Sequence, residues 1–310
     1  MSPMSADSGF SPKLLAGKVG LVTGAGTPKG IGRSLVLALA AAGARAVYAT
    51  DLSLTNIPSL QKEVRESGSS CEVHGEVFDV ASEEQTIRIL KQVLDKYQRL
   101  DFYFANAGVV SFKSLEDTDA TWFNRIAAIN QRSCFLAIRY AGHGMSVVSP
   151  DKPNPGGSIV LTSSMAASTG SVADIAYTTS KAAVSGMVQC ASVQLSANFV
   201  RVNAMEPGFV KTSIMATSMA ALEGEPGQIK SPSEEEVRRV QEASARPDLT
   251  SSPYYYARMS EPDEMARIGV FLASDLSAAI NGQRILADCG KVAAAFGESV
   301  IGPIQPLERL

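Results

Sequence analysis

Two hydrophobic rhythms alternate along the chain. Residues 19–23 form a short unbroken apolar run that stops in glycines, as a buried strand does. Residues 31–42 repeat apolar positions at helical spacing until Gly43 ends them. The pair recurs as a strand over 46–50 closing on Asp51, an amphipathic helix over 57–67 and a strand over 71–78. A helix over 83–96 follows, carried by Ile87, Leu90, Val93 and Leu94. The rhythm continues with a strand over 100–105, a long helical stretch over 122–145 and a strand over 158–162. A helix over 175–197 and a strand over 200–205 come next, then a helix over 262–273 and a last strand over 283–287. Apolar strands alternating with helices predict an α/β class: one doubly wound parallel sheet with helices on both faces.

Two stretches break the rhythm. Residues 149–157 are rich in Pro, Asn and Gly and read as a loop. Residues 213–260 hold several prolines, an acidic run at 234–236 and the consecutive Tyr254, Tyr255 and Tyr256. Insertions of that size in a compact domain are usually lids or binding loops, so 213–260 is the expected substrate loop. The domain is expected to span 14–290. It lies between a Ser-, Pro- and Gly-rich tail at 1–13, expected to be disordered, and a C-terminal tail at 291–310.

Composition removes several classes. An apolar fraction of 45% with a net charge of −3 excludes a disordered chain. Lys and Arg number 28 against 31 Asp and Glu, with no cationic run, so no nucleic-acid partner is expected. No uninterrupted apolar stretch is long enough to span a membrane, and the first residues lack the charged start and apolar core of a signal peptide. A cytoplasmic protein is expected. Cys71, Cys134, Cys190 and Cys289 lie far apart without a C-x-x-C pair, which argues for a reducing compartment and against disulfides or structural zinc. His74 and His143 have no metal-ligand neighbour at helical or hairpin spacing, so no metal site is expected.

Candidate chemistry begins where the first strand meets the first helix. Thr23-Gly24-Ala25-Gly26-Thr27-Pro28-Lys29-Gly30-Ile31-Gly32 is a glycine-rich turn between a strand and a helix. Such a turn lets backbone N–H groups approach a pyrophosphate, to which the helix N-terminus adds partial positive charge. Asp51, nineteen positions after Gly32 and at the end of the second strand, is placed to accept the ribose hydroxyls of adenosine and to repel a 2′-phosphate. It favours NAD. Lys29 could neutralise that phosphate, so NADP stays open, although a solvated loop charge is the better reading of Lys29.

Tyr177 and Lys181 lie one helical turn apart and project from one face. A nearby ammonium favours a phenolate, which makes the tyrosine a usable acid and base near neutral pH. The pair is unspecific alone; it gains weight beside Ser163-Ser164 at a strand end.

Together these pieces resemble the short-chain dehydrogenase/reductase family, from about residue 14 to 290. The matching motifs fall in the family's order: Gly30-Ile31-Gly32, Asp79-Val80, Asn106-Ala107-Gly108, Asn130, Ser164, Tyr177-x-x-x-Lys181, Pro207-Gly208, and Val210 with Thr212. The resemblance implies a single Rossmann-type domain, with Asp79 and Val80 bordering adenine and Asn106, Ala107 and Gly108 closing the strand under the cofactor. It implies that Pro207, Gly208, Val210 and Thr212 hold the nicotinamide carboxamide. It makes Tyr177 the proton donor and acceptor, Ser164 its partner on the reacting oxygen and Lys181 a holder of the nicotinamide ribose. Asn130 would anchor a water that extends the proton path. The family's spacing selects Ser164, thirteen before Tyr177, over Ser163.

Three features depart from the family. Five residues separate Gly24 from Gly30, and the common spacing returns only if Gly26 is the first glycine, so either could make the turn. Glu206 precedes Pro207 where a small or neutral residue is usual; it could touch substrate or face a neighbouring subunit. The last strand runs into Asp288-Cys289-Gly290 rather than a glycine pair.

The expected activity is hydride transfer between a nicotinamide cofactor and a secondary alcohol or ketone. The expected pocket walls are Val110 to Phe112, Met165 to Ser168, Glu206, Phe209 and the 213–260 loop. They are mostly apolar, which suits a terpenoid- or polyketide-like substrate of secondary metabolism. An isomerase, dehydratase or cyclase without net redox is the alternative on the same fold. A nucleotide-sensing regulator is disfavoured by the intact Ser164, Tyr177 and Lys181. A homotetramer is expected from the resemblance, with Val184, Met187 and Val188 offering apolar surface on the helix of Tyr177.

Overall fold

Each predicted apolar run becomes a strand of one sheet. In the computed structural model these are β1 (Val19–Thr23), β2 (Ala46–Asp51), β3 (Glu72–Val77), β4 (Phe102–Ala105), β5 (Gly157–Thr162), β6 (Val200–Pro207) and β7 (Arg284–Ala287). The structure describes residues 13–223 and 254–294, with isolated positions at 11, 235, 238 and 239. Most of the expected tails at 1–13 and 291–310, and most of the 213–260 loop, lie outside the described residues. The strand order is β3-β2-β1-β4-β5-β6-β7 and every pairing is parallel. The chain winds outward from β1 to β3, returns to β4, then winds outward to β7. The switch between β1 and β4 is where such sheets open a crevice at their C-terminal edge.

Alternation along the strands sends side chains to two cores. On one face, Val22, Val47, Phe104 and Val160 pack with Leu35 and Leu39 of α1 (Ile31–Ala41) and with Val270 of the last helix. On the other, Leu21, Tyr103, Ile159 and Val202 pack with Leu90 and Val93 of α3 (Glu83–Tyr97). α2 (Ile57–Glu66) covers the β3 side of the first core.

The long helical stretch predicted over 122–145 is two helices with a π-helical segment between them. α4 (Ala120–Ala127) starts at Asp119, whose side chain accepts from the Trp122 N–H, and Ala128–Arg132 widens the turn before α5 (Ser133–Met145). Asn130 sits in that widened turn. α6 (Ile175–Gln194) ends earlier than predicted, in a short turn closed by Phe199 at φ 56. The predicted irregular segment opens with a helix, α7 (Ile214–Glu223). Its Ala, Met, Ser and Thr residues give little amphipathic contrast, so no 3.6-residue rhythm announces it. α8 (Pro262–Ala273) begins with Pro in its first turn and a capping box between Glu261 and Glu264.

The 149–157 loop is fastened by a buried cation. Lys152 Nζ donates to the carbonyls of Leu100 at 2.9 Å and Met145 at 2.7 Å, closing the C-terminus of α5. Burial pushes its ammonium down to about 8. Among the described residues no helix is long and apolar enough to cross a membrane.

Candidate active site

The C-terminal ends of β1, β2, β4, β5 and β6 open onto one cavity of about 1770 Å³. Its first part is shaped by missing side chains. The chain leaves β1 and turns at Gly24, whose φ is +71; a Cβ there would stand 2.9 Å from Ala107 Cα. A Cβ on Gly32 would stand 2.2 Å from the Gly24 carbonyl oxygen and 2.8 Å from Asn106 Nδ2. These two glycines let β1, α1 and the loop after β4 touch. Gly24 therefore makes the turn, and Gly26 does not. The Gly26 N–H donates to Asp51 Oδ2 at 2.8 Å, and the residue backs the end of β2. Gly24, Gly30 and Ile31 are in the cavity wall; Gly26 and Gly32 are not. We expect Gly32→Ala to lower the unfolding free energy by about 1–3 kcal/mol, the range for overpacking. Chemical denaturation checks this, and wild-type stability would contradict the tight contact.

Asp51, Asp79 and Val80 line the same cavity. The second Asp51 oxygen accepts from the Leu52 N–H at 2.8 Å. Burial pushes the Asp51 carboxyl up, and N–H groups of Gly26, Leu52 and Ser53 pull it part of the way back. Three N–H groups against about four lone-pair sites leave the carboxylate able to accept from a ligand. Asn106 ties three strands together: Nδ2 donates to the Thr23 carbonyl at 2.9 Å, and Thr162 Oγ1 donates to Oδ1 at 3.3 Å. Ala107 and Gly108 complete that wall. Pro207, Gly208, Val210 and Thr212 line the cavity as β6 ends. The Ser213 N–H donates to the Lys29 carbonyl at 2.8 Å, tying this segment to the glycine loop. A backbone cradle without Cβ atoms, a carboxylate at the β2 end and a cavity larger than a drug-sized ligand needs all fit a dinucleotide.

Ser164, Tyr177 and Lys181 meet in the wall of this cavity. Ser164 follows β5 and heads a single 3-10 turn, Met165–Ala167. Its oxygen accepts the Ala166 N–H at 3.1 Å, which leaves its proton to donate. α6 presents Tyr177 and Lys181 one turn apart. Asp174 caps that helix and accepts the Tyr177 N–H at 2.8 Å. Lys181 Nζ donates to the Thr162 carbonyl at 2.8 Å and lies 5.7 Å from the Tyr177 ring centre.

Burial pushes the Tyr177 phenol above its ordinary value, and the Ser164 hydroxyl is the group that pulls it down. Burial pushes the Lys181 ammonium down. Lys181 keeps its charge while one of its N–H groups is held by the Thr162 carbonyl.

Asn130 stands behind the wall rather than in it. Its Oδ1 accepts the Val109 N–H, while Nδ2 donates to the Val109 carbonyl and, at 3.1 Å, to Ser180 Oγ. A Cβ on Gly108 would be 3.0 Å from Asn130 Oδ1 and 3.3 Å from Lys181 Nζ, so Gly108 lets these two approach.

The remaining wall is largely apolar, with Val110, Phe112, Met165, Phe209, Met215 and Met259. Asp174, absent from the sequence-based expectations, also accepts from the Ser111 hydroxyl and, at 2.9 Å, from the Lys113 N–H. It fixes the loop after β4 to the helix of Tyr177. An acid directly before an apolar helical run is a signal that could have found it. α7 is held across this loop: Ser218 Oγ accepts the Val110 N–H at 2.9 Å, and Arg125 donates to the Ala221 carbonyl at 2.9 Å.

Glu206 neither lines the cavity nor faces outward. It is 2% exposed, and its carboxylate meets Arg284 of β7 with Nε–Oε1 at 2.7 Å. Both expected roles are overturned by the same fact: the side chain points into the protein and is already paired. Ser168, expected in the pocket, is likewise drawn away to Arg284 Nη2 at 2.9 Å.

Comparisons with known proteins agree with this geometry. The family model of short chain dehydrogenases matches residues 18–223. Versicolorin reductase 1 of Dothistroma septosporum is 31% identical over 277 residues, covering 89% of this chain and 96% of that protein. The (+)-cis,trans-nepetalactol synthase of Nepeta racemosa is 31% identical over 288 residues, covering 92% and 97%. The crystal structure of a short-chain type dehydrogenase/reductase from Mycobacterium marinum superimposes with a TM-score of 0.70 at 26% identity, covering 93% of this chain and 98% of that one.

Proposed function

The chain belongs to the short-chain dehydrogenase/reductase family, and from that premise we propose that it moves a hydride between a nicotinamide dinucleotide and a secondary alcohol or ketone. One observation carries this: Ser164, Tyr177 and Lys181 share a cavity with the glycine cradle and Asp51. When bound, the nicotinamide supplies or accepts the hydride at its C4. Tyr177 holds the proton that the reacting oxygen gains in reduction and takes it back in oxidation. Ser164 gives its single proton to that oxygen, lowering the cost of its charge. Lys181 holds the nicotinamide ribose. Asn130 would anchor a water behind Lys181. Gly24, Gly30 and Ile31 form the pyrophosphate cradle and Asp51 reads the adenosine ribose, which favours NAD over NADP.

The substrate we assign is hydrophobic, polyketide- or terpenoid-like and drawn from secondary metabolism. The apolar wall supports this, as do relatives that include a versicolorin reductase and a nepetalactol synthase. The synthase favours one second reading, an isomerase or cyclase that uses the cavity without net redox. Reduced-nicotinamide absorbance during turnover separates the two: net change supports hydride transfer, and product without net change supports the second.

We further assign a homotetramer in a reducing, cytoplasmic compartment. The cysteines are free, which supports the compartment. Val184 and Val188 are fully buried core and lend the tetramer nothing; exposed Phe135 on α5 and Val193 on α6 support it instead. Light scattering should report the tetramer, and a monomer at micromolar concentration would refute it.

A further inference from the structure

We propose that Glu206 is a positioning residue for Ser164, its carboxylate suspending the turn that carries the serine from both ends. The near arm runs through α6. Ser185 Oγ donates to Glu206 Oε1 and lies 2.8 Å from Ser163 Oγ, and Ser163 in turn donates to the Lys181 carbonyl at 2.9 Å. Ser163 is the residue immediately before Ser164. The far arm runs through β7. Arg284 Nη2 reaches both Glu206 Oε2 at 3.2 Å and Ser168 Oγ at 2.9 Å, and Ser168 ends the 3-10 turn that Ser164 begins.

The near arm is dry: Glu206, Ser163 and Ser185 are 2%, 2% and 3% exposed. A carboxylate at that depth keeps its place only while its partners hold it, and hydrogen bonds there are strong and directional. Proton arithmetic sets their direction. The Ser185 proton goes to the carboxylate, which accepts only, and the Ser163 proton is shared between the Lys181 carbonyl and Ser185. The turn is thus pinned just before Ser164 and again at Ser168, and the serine hydroxyl between these points is left facing the Tyr177 phenol. Glu206 reaches no reacting atom; it acts through the two arms.

A merely structural Glu206–Arg284 pair would stabilise the β6–β7 edge and leave the phenol alone. A positioning pair must change it. The groups that face the phenol are Ser164 from the turn and Lys181 from α6, with Cys134 of α5 behind Lys181. Ser164 is the one that lowers the phenol, so a displaced Ser164 raises it.

The test uses Glu206→Gln, Ser185→Ala and Ser168→Ala. Each is titrated by phenolate ultraviolet difference against the same variant carrying Tyr177→Phe, which isolates Tyr177 without turnover. The titration is expected to move upward by roughly half a unit or more. Neutral-pH kcat is expected to fall roughly ten-fold, while dinucleotide affinity holds. The two serine variants keep the ion pair, so they decide the matter even where Glu206→Gln fails to fold. Titrations that superimpose on wild type in both serine variants would overturn the proposal. Its kinetic consequence rests on the hydride-transfer reading, but the titration does not: a wild type without turnover sinks that reading and leaves this test standing.

Discussion

Tyr177→Phe is expected to cut turnover by about 10²–10⁴, the usual worth of a general acid, while dinucleotide affinity stays near wild type. On the proposed reading the phenol exchanges the proton with the reacting oxygen. Ser164 can donate to that oxygen, but its own proton is not one it can give up near neutral pH. The cradle at Gly24 and Gly30 and the carboxylate of Asp51 do not involve the phenol, so binding has no reason to fail. Because burial holds the phenol high and Ser164 lowers it, alcohol oxidation should rise with pH as the phenol ionises. Steady-state kinetics and a dinucleotide titration check both halves. A variant keeping more than about a tenth of wild-type kcat, outside that range, would remove Tyr177 from its role.

Asp51→Ala is expected to move cofactor preference by roughly two decades, from NAD toward NADP. In wild type the carboxylate is steadied by the Gly26 and Leu52 N–H groups, each at 2.8 Å, so it cannot swing away from the cavity. On the proposed reading its remaining acceptor capacity takes the ribose. A 2′-phosphate would meet the same oxygens as a like charge, which costs a few kcal/mol at contact in a partly desolvated site. Lys29 lies in the wall as well, where it would offset part of that repulsion if it reached the phosphate. The comparison is kcat/KM for the two cofactors in wild type and variant. Wild-type preference for NADP, or a ratio unmoved by the substitution, would show that Asp51 does not read the ribose.

Much of this architecture is legible in the sequence because a parallel sheet demands continuous apolar strands, and those runs map onto β1 to β7 with shifts of a residue or two at most ends. The site is legible where chemistry dictates residue type: glycines where a Cβ would collide, and a tyrosine and lysine one turn apart. It fades where geometry is set by distant partners. Nothing near Gly26 tells that it backs Asp51 while Gly24 turns; that depends on the approach of Ala107 from the loop after β4. Nothing near Glu206 tells that Arg284, on another strand, neutralises it. The pairing of Tyr177 with Lys181 is legible from spacing, but spacing is silent on the Thr162 carbonyl that anchors the ammonium. α7 escapes for a plainer reason, since small residues carry little amphipathic contrast.

Hydride transfer through Tyr177 is tested most directly by following reduced-nicotinamide absorbance while product is identified by mass, with alcohols and ketones of graded size, in wild type and Tyr177→Phe. Reduced nicotinamide appearing in step with carbonyl product, or disappearing in step with alcohol product, in wild type but not in the variant is the predicted result. Product formed by wild type with no net change in nicotinamide would contradict it.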